Sequence, residues 1–270
     1  MKKGYHSVFE NDMYEAIDFA AENGFGFVQF DLGVPNNFLD VLSEKQLSQI
    51  GSCAADRNIE ITFHGPCDNV SLFTDYPCIR KGILEQYKVI LYKANILHAR
   101  HLTLHTGSCP EFKKAGEKPG EYLKSRADYY ENVLTENIAK LSEMSGGVLL
   151  CVENDRFSGF IRNCVSKLIH AKNPVYLTLD IPKLYLNNRF DEETYRFYQQ
   201  NRHLLREAHL HDFSPEFGRH QIIGDGTIDF TKFSDLILQN DVYLNFEVRP
   251  KEAALLSMRR FCTDFQSFSH

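Results

Sequence analysis

The sequence predicts an α/β fold, a single (β/α)8 TIM barrel over residues 1–270, and three observations lead there. Short apolar segments recur eight times, each followed by a longer stretch with helical spacing. The length suits one large α/β unit, and no repeat, low-complexity segment or linker divides it. No glycine-rich dinucleotide fingerprint follows the first strand, which weighs against the alternative, an open doubly wound sheet.

Strands are expected near 3–7, 26–30, 59–63, 101–105, 148–153, 175–180, 207–211 and 242–247. Helical patterns fill the intervals at 12–23, 43–57, 78–98, 121–144, 160–171, 191–206, 229–239 and 251–265. In the third of these, Ile83, Tyr87, Ile90, Ala94 and Leu97 fall on one stripe, which gives the helix an apolar face to bury. Ser43 with Gln46, and Asp229, have the chemistry of N-caps, while Gly146 and Gly147 stop the fourth helix. The longest irregular stretches, 65–77, 106–120 and 212–228, all follow strands. In a barrel those loops lie on the face that carries function.

Composition narrows the class. Hydrophobic residues at 43% and charged residues at 24% describe a globular chain, and the net charge of −6 argues against a non-specific grip on nucleic acid or anionic membrane. The opening residues lack an apolar signal-peptide core, and no window approaches the length of a membrane span. Seven scattered cysteines with no CxxC pair fit reduced thiols and a cytoplasmic location.

Alternation within the strands carries the functional signal. Leu102 and Leu104 oppose His101, Thr103 and His105; Leu150 and Val152 oppose Cys151 and Glu153; Leu177 and Leu179 oppose Thr178 and Asp180. The same parity places Thr62 with His64, His209 with His211, and Asn245 with Glu247. Six strands therefore end in an axis-facing His, Glu or Asp. Buried together at one mouth, such groups cost several kcal/mol each unless paired or bound to a cation, and their composition suits a divalent metal.

These residues also resemble a family. GYHS (4–7), HGP (64–66), LHTGS (104–108), VEN (152–154), LDIPK (179–183), HLHD (209–212), RHQIIGDGTIDF (219–230) and FEVRP (246–250) stand in the order of the xylose-isomerase-like TIM barrels. That superfamily holds sugar and sugar-phosphate isomerases and epimerases together with endonuclease IV. The resemblance implies one divalent ion (Mn²⁺, Mg²⁺, Co²⁺ or Zn²⁺) on Glu153, Asp180, His209 and Glu247. It implies that Glu153 and Glu247, approaching from different strands, exchange a proton with a sugar or sugar phosphate through a metal-stabilised enediolate. Asp180 and His209 would then hold geometry.

His64, His105 and His220 match further ligand positions of the DNA-repair branch, so a second ion or a substrate contact there stays open. Two positions depart from that branch: Lys183 stands where it has a histidine, and Gly218 where it has an aspartate. An ammonium repels a divalent ion and glycine offers no ligand atom, so three-metal cleavage of abasic DNA is the weaker alternative. A metal-dependent dehydratase and a barrel that binds sugar without chemistry are the others. Lys183 and Arg249 are candidates for a substrate carboxylate or phosphate, with His6 and His211 as further substrate or ligand-supporting contacts. His98, His170, His203 and His270 read as structural or solvent-facing. The expected partner is a small sugar rather than membrane or nucleic acid, and a homo-oligomer stays open.

Overall fold

A computed structural model describes residues 1–66, 70–118, 120–186 and 189–266. Eight parallel strands close into a barrel in the order β1 (Lys2–Ser7), β12 (Tyr243–Phe246), β9 (Leu205–Leu210), β6 (Tyr176–Asp180), β5 (Leu149–Glu153), β4 (His101–Leu104), β3 (Glu60–His64) and β2 (Phe27–Asp31). Two small hairpins lie outside it, β7 (Tyr185–Leu186) with β8 (Arg189–Phe190), and β10 (Asp212–Ser214) with β11 (Gly218–Gln221). Cys67 and His270 fall outside the described residues, and the six described thiols are free.

The helices surround the barrel as α1 (Met13–Glu22), α2 (Glu44–Asp56), α3 (Pro77–Ile96), α4 (Glu121–Ser125), α5 (Ala127–Met144), α6 (Gly159–Ile169), α7 (Glu192–Gln200), α8 (Ser234–Ile237) and α9 (Lys251–Gln266). Ser43 and Gln46 form a full capping box at the start of α2. Pro77 opens α3, where its missing N–H is not needed. None of the described helices is long and apolar enough to cross a membrane.

Three expected helices are shorter than their sequence pattern. The 121–144 stretch breaks at Arg126, beside Ser125, whose hydroxyl donates to the Tyr122 carbonyl at 2.7 Å. The 191–206 stretch stops at Gln200 because both the backbone and side-chain amides of Asn201 turn back to Phe197. The 229–239 stretch is a tight turn, Phe230–Phe233, capped by Asp229 and followed by the single-turn α8. The β10–β11 hairpin occupies part of the expected 212–228 loop.

Alternation works as the barrel requires. Leu102, Leu150, Leu177 and Leu244 are fully buried against the helix layer. The axis-facing residues are polar even midway down the barrel: Gln29, Thr103, Thr178, Glu207 and Asn245 are all buried. They bond to one another, with Asn245 Oδ1 left unmet. Gln29 Nε2 donates to both oxygens of Glu207 at 2.8 Å, Thr103 Oγ1 donates to Glu207 Oε2 at 2.6 Å, and Asn245 Nδ2 donates to Gln29 Oε1 at 2.6 Å. This belt replaces the aliphatic layer usual in such barrels and carries polar contacts up to the mouth.

Candidate metal centre

Strand register builds the site. Asp180 pairs with His209 and His209 with Asn245 across adjacent strands, so side chains of equal parity emerge side by side. Glu153 ends β5, and Glu247 follows β12 by one residue. Ligand atoms of Glu153, Asp180 and His209 all lie within 4.8 Å of one another. Glu247 joins them through His209, whose Nδ1 is 3.1 Å from Glu247 Oε2 and 3.5 Å from Glu153 Oε1. All four expected ligands therefore converge.

The donor set fits a divalent cation by an observation independent of sequence. His209 Nδ1 and Asp180 Oδ2 are buried and make no hydrogen bond. Each unmet polar atom costs about 1–3 kcal/mol, and one cation would satisfy both. The other face of His209 is fixed from below, its Nε2 lying 3.3 Å from Glu207 Oε2. That carboxylate favours a proton on Nε2 and leaves Nδ1 for coordination. Glu207 was invisible as a site residue although its parity with His209 could have revealed it.

Three further clusters adjoin this one. His105 Nε2 is 2.5 Å and His64 Nε2 3.6 Å from Glu153 Oε2. His211 and His220 stack with ring centroids 4.2 Å apart beside Glu247. His6 Nε2 lies 3.2 Å from Asp31 Oδ2, with His64 next to it. His220 adopts a left-handed φ of 62°, and its amide donates to His211 Nδ1 at 2.9 Å, which pins the hairpin to the barrel mouth.

The expected substrate cations lie against the ligands themselves. Lys183 follows β6 in a tight turn, Pro182–Leu184, that folds its ammonium inward. Its Nζ donates to Glu153 Oε1 at 2.6 Å and stands 3.5 Å from Asp180 Oδ2 and 3.8 Å from Asp155 Oδ1. Arg249 NH2 donates to Glu247 Oε1 at 3.2 Å and meets His6 Nδ1 at 2.9 Å. Both are partners of buried carboxylates rather than surface ion pairs. His6 and His211 are buried, one among Asp31, Glu247 and Arg249, the other against Asp180 at 3.4 Å.

Electrostatics follow from these contacts. Burial alone would raise the Glu153 carboxyl, but His105, Lys183 and His209 outweigh it and hold the group well below the usual range. Glu247 is likewise held low against burial by His209, His6 and His220. Burial opposes the charged form of His105, yet Glu153 and Asp155 push its pKa up to about 9. Burial brings His220 down to about 4.

A cavity of about 680 Å³ opens above these groups, large enough for a small ligand. Asp31, His64, His105, Lys183, Glu247 and Arg249 form its inner wall. Asp155, Arg156 and Arg219 also line it, and none of these three, nor Asp31, was singled out from sequence. Asp31 was within reach, since it shares parity with the buried Gln29.

A closed eight-strand barrel with convergent acidic and imidazole groups at its mouth defines a class of protein. The chain belongs to the xylose isomerase-like TIM barrel family, whose profile matches residues 17–264. It is similar to an uncharacterized protein of Methanocaldococcus jannaschii, with 27% identity over 207 residues, covering 75% of this chain and 74% of that one. Among solved structures it resembles a D-tagatose 3-epimerase-like protein at TM-score 0.78 and 18% identity, covering 99% of this chain and 98% of the other. It also resembles a 3-keto-D-glucoside 4-epimerase from E. coli at TM-score 0.72 and 16% identity, covering 97% and 99%. At such identities the likeness speaks for the fold.

Proposed function

We propose that the chain is a divalent-metal-dependent sugar isomerase or epimerase in which Glu153 and Glu247 transfer the proton. The supporting observation is that two glutamates from well-separated strands meet on one atom, His209 Nδ1, at 3.5 and 3.1 Å. They reach a shared point from different sides, the arrangement needed to remove a proton on one side and return it on another.

Glu153, Asp180, His209 and Glu247 would hold the ion, with His211 beside Asp180 as a supporting contact rather than a substitute ligand, since its Nδ1 accepts the His220 amide and its Nε2 keeps the proton. When bound, a divalent ion supplies a Lewis acid that polarises a sugar carbonyl and acidifies the neighbouring C–H. The residues need that help. Lys183 and His105 keep Glu153 ionised, as Arg249 and His6 do Glu247, so each is available as a base but a weak one. Glu153 Oε2, which faces His105 and not His209 Nδ1, is the oxygen we assign to proton transfer on that residue.

His64 and His105 with Glu153 would accept a second ion. Cleavage of abasic DNA through three ions is disfavoured by Lys183, whose ammonium already contacts Glu153 and Asp180.

Metal analysis of the purified protein, followed by proton exchange into ketoses and ketose phosphates in D₂O, tests the reading. One divalent ion per chain is expected, with exchange falling about 10²–10⁴-fold in Glu153→Gln and in Glu247→Gln. Metal-dependent exchange that survives both substitutions overturns it, and three zinc ions per chain favour the nuclease.

A further inference from the structure

The cavity has two chemically different ends. At the buried end the cations are neutralised, Lys183 by Glu153 and Asp180, and Arg249 by Glu247. At the open end, Arg156 and Arg219 line the wall, and among the described residues no carboxylate lies within ion-pair distance of either. Ser71 and Ser108 line the same end.

This rim is built rather than loose. Arg156 follows β5 with a left-handed φ of 49°, and its NH1 donates to Ser108 Oγ. Ser108 is held in turn by Ser71, whose hydroxyl donates to the Ser108 carbonyl at 2.8 Å. Between them Gly107 has φ of 79°, and a Cβ there would stand 2.5 Å from Ser71 Cα, so only glycine lets the two loops press together. Arg219, which lines the same cavity, sits in β11 next to His220, whose amide is anchored on His211.

We infer that this open end is a phosphate subsite and that the substrate is a phosphorylated sugar, its dianion on Arg156 and Arg219 and its carbonyl end toward Glu153 and Glu247. The inference rests on the isomerase reading of the same cavity and narrows it. Two guanidinium forks brought from different loops match a phosphomonoester, which carries close to two charges and three acceptor oxygens. A carboxylate or a phosphodiester brings one charge, and an unphosphorylated sugar brings none. In a chain of net charge −6, two cavity-lining cations with no carboxylate in ion-pair contact among the described residues mark where an anion gains most, although Asp31, Asp155 and Glu247 line the same cavity.

Calorimetric titration of the full chain with inorganic phosphate tests the subsite without depending on turnover. Binding is expected, weakened at least about tenfold in the double variant Arg156→Ala/Arg219→Ala. Dimethyl phosphate, a singly charged diester, should bind more weakly than phosphate. Phosphate that fails to bind, or binds the double variant equally, overturns the inference, as does equal affinity for the diester. Circular dichroism of the variant checks its fold, and Arg156→Lys with Arg219→Lys should restore part of the affinity by restoring charge.

Matched pairs of ketose and ketose phosphate separate this claim from the wider one. The ratio of kcat/KM favouring the phosphorylated member should collapse in the double variant. Faster turnover of the unphosphorylated member by the unaltered protein overturns the subsite and leaves the isomerase reading standing. Phosphate binding that depends on both arginines, with no exchange into any ketose, upholds the subsite and overturns the isomerase reading.

Discussion

Two layers of the barrel axis hold the same kinds of residue, both buried, and differ in what holds their carboxylates. In the lower layer Glu207 accepts three hydrogen bonds, from Gln29 twice and Thr103 once, and faces His101 and His209 at 3.2 and 3.3 Å. In the upper layer Glu153, Asp180 and His209 crowd together with Glu247 beside His209, while His209 Nδ1 and Asp180 Oδ2 go without a hydrogen bond. Burial alone does not mark a functional site, since both layers are buried and each leaves polar atoms unmet, Asn245 Oδ1 and His101 Nε2 below, His209 Nδ1 and Asp180 Oδ2 above. Carboxylates and imidazoles crowded beneath a cavity do. His209 belongs to both layers and couples the closed one to the open one.

The comparison can be broken most directly by stability. In ion-free protein, Glu207→Ala should cost about 3–5 kcal/mol, because it strands Gln29, Thr103 and two imidazoles in the barrel interior. Asp180→Asn should cost less than half as much, since it relieves repulsion with Glu153. Urea unfolding in the presence of chelator measures both, and equal costs would erase the distinction between the layers.

A smaller effect sharpens it. Lys183 Nζ holds two carboxylates that the proposed ion needs. Lys183→Met should therefore tighten Mn²⁺ binding by about tenfold or more, while lowering the stability of the ion-free protein. Titration calorimetry reads the affinity directly. Unchanged or weaker binding would mean that the ammonium does not oppose the ion.

The smallest effect is the pH dependence of His105. Its folded pKa, about 9, lies above the unfolded value, so its contribution to stability is complete below about 6.5 and is lost as pH rises through 9. The stability difference between the chelated protein and His105→Gln should shrink over that interval. A difference that stays flat from pH 6.5 to 9.5 would show that Glu153 and Asp155 do not hold the proton on His105.

Strand parity made most of the upper layer legible. A side chain's face depends on alternation alone, which is why His64, Glu153, Asp180, His209 and Glu247 were placed together before any coordinates. Loop-borne contacts were not legible by that route. The lysine after β6 turns inward only because Pro182–Leu184 closes a tight turn, and propensity does not give the direction of that turn. Glu207 obeyed the same parity but lay one step below the strand end, and only the strand-end residues were taken as ligands. The 212–228 segment took its form from Asp212, a residue with no periodicity to announce it.

That last residue has its own consequence. Asp212 Oδ1 accepts the amides of Phe213 and Ile228, and Oδ2 those of Gly224 and Gly226, at 2.8–3.1 Å. Gly226 comes so near that a Cβ would stand 2.2 Å from Asp212 Oδ1. A single carboxylate thus acts as the hub of a wheel whose spokes are main-chain amides, so apart from the two glycine spokes the side chains around the wheel are not what holds it. Sequence drift there can reshape the entrance while the hub keeps Arg219 and His220 on station.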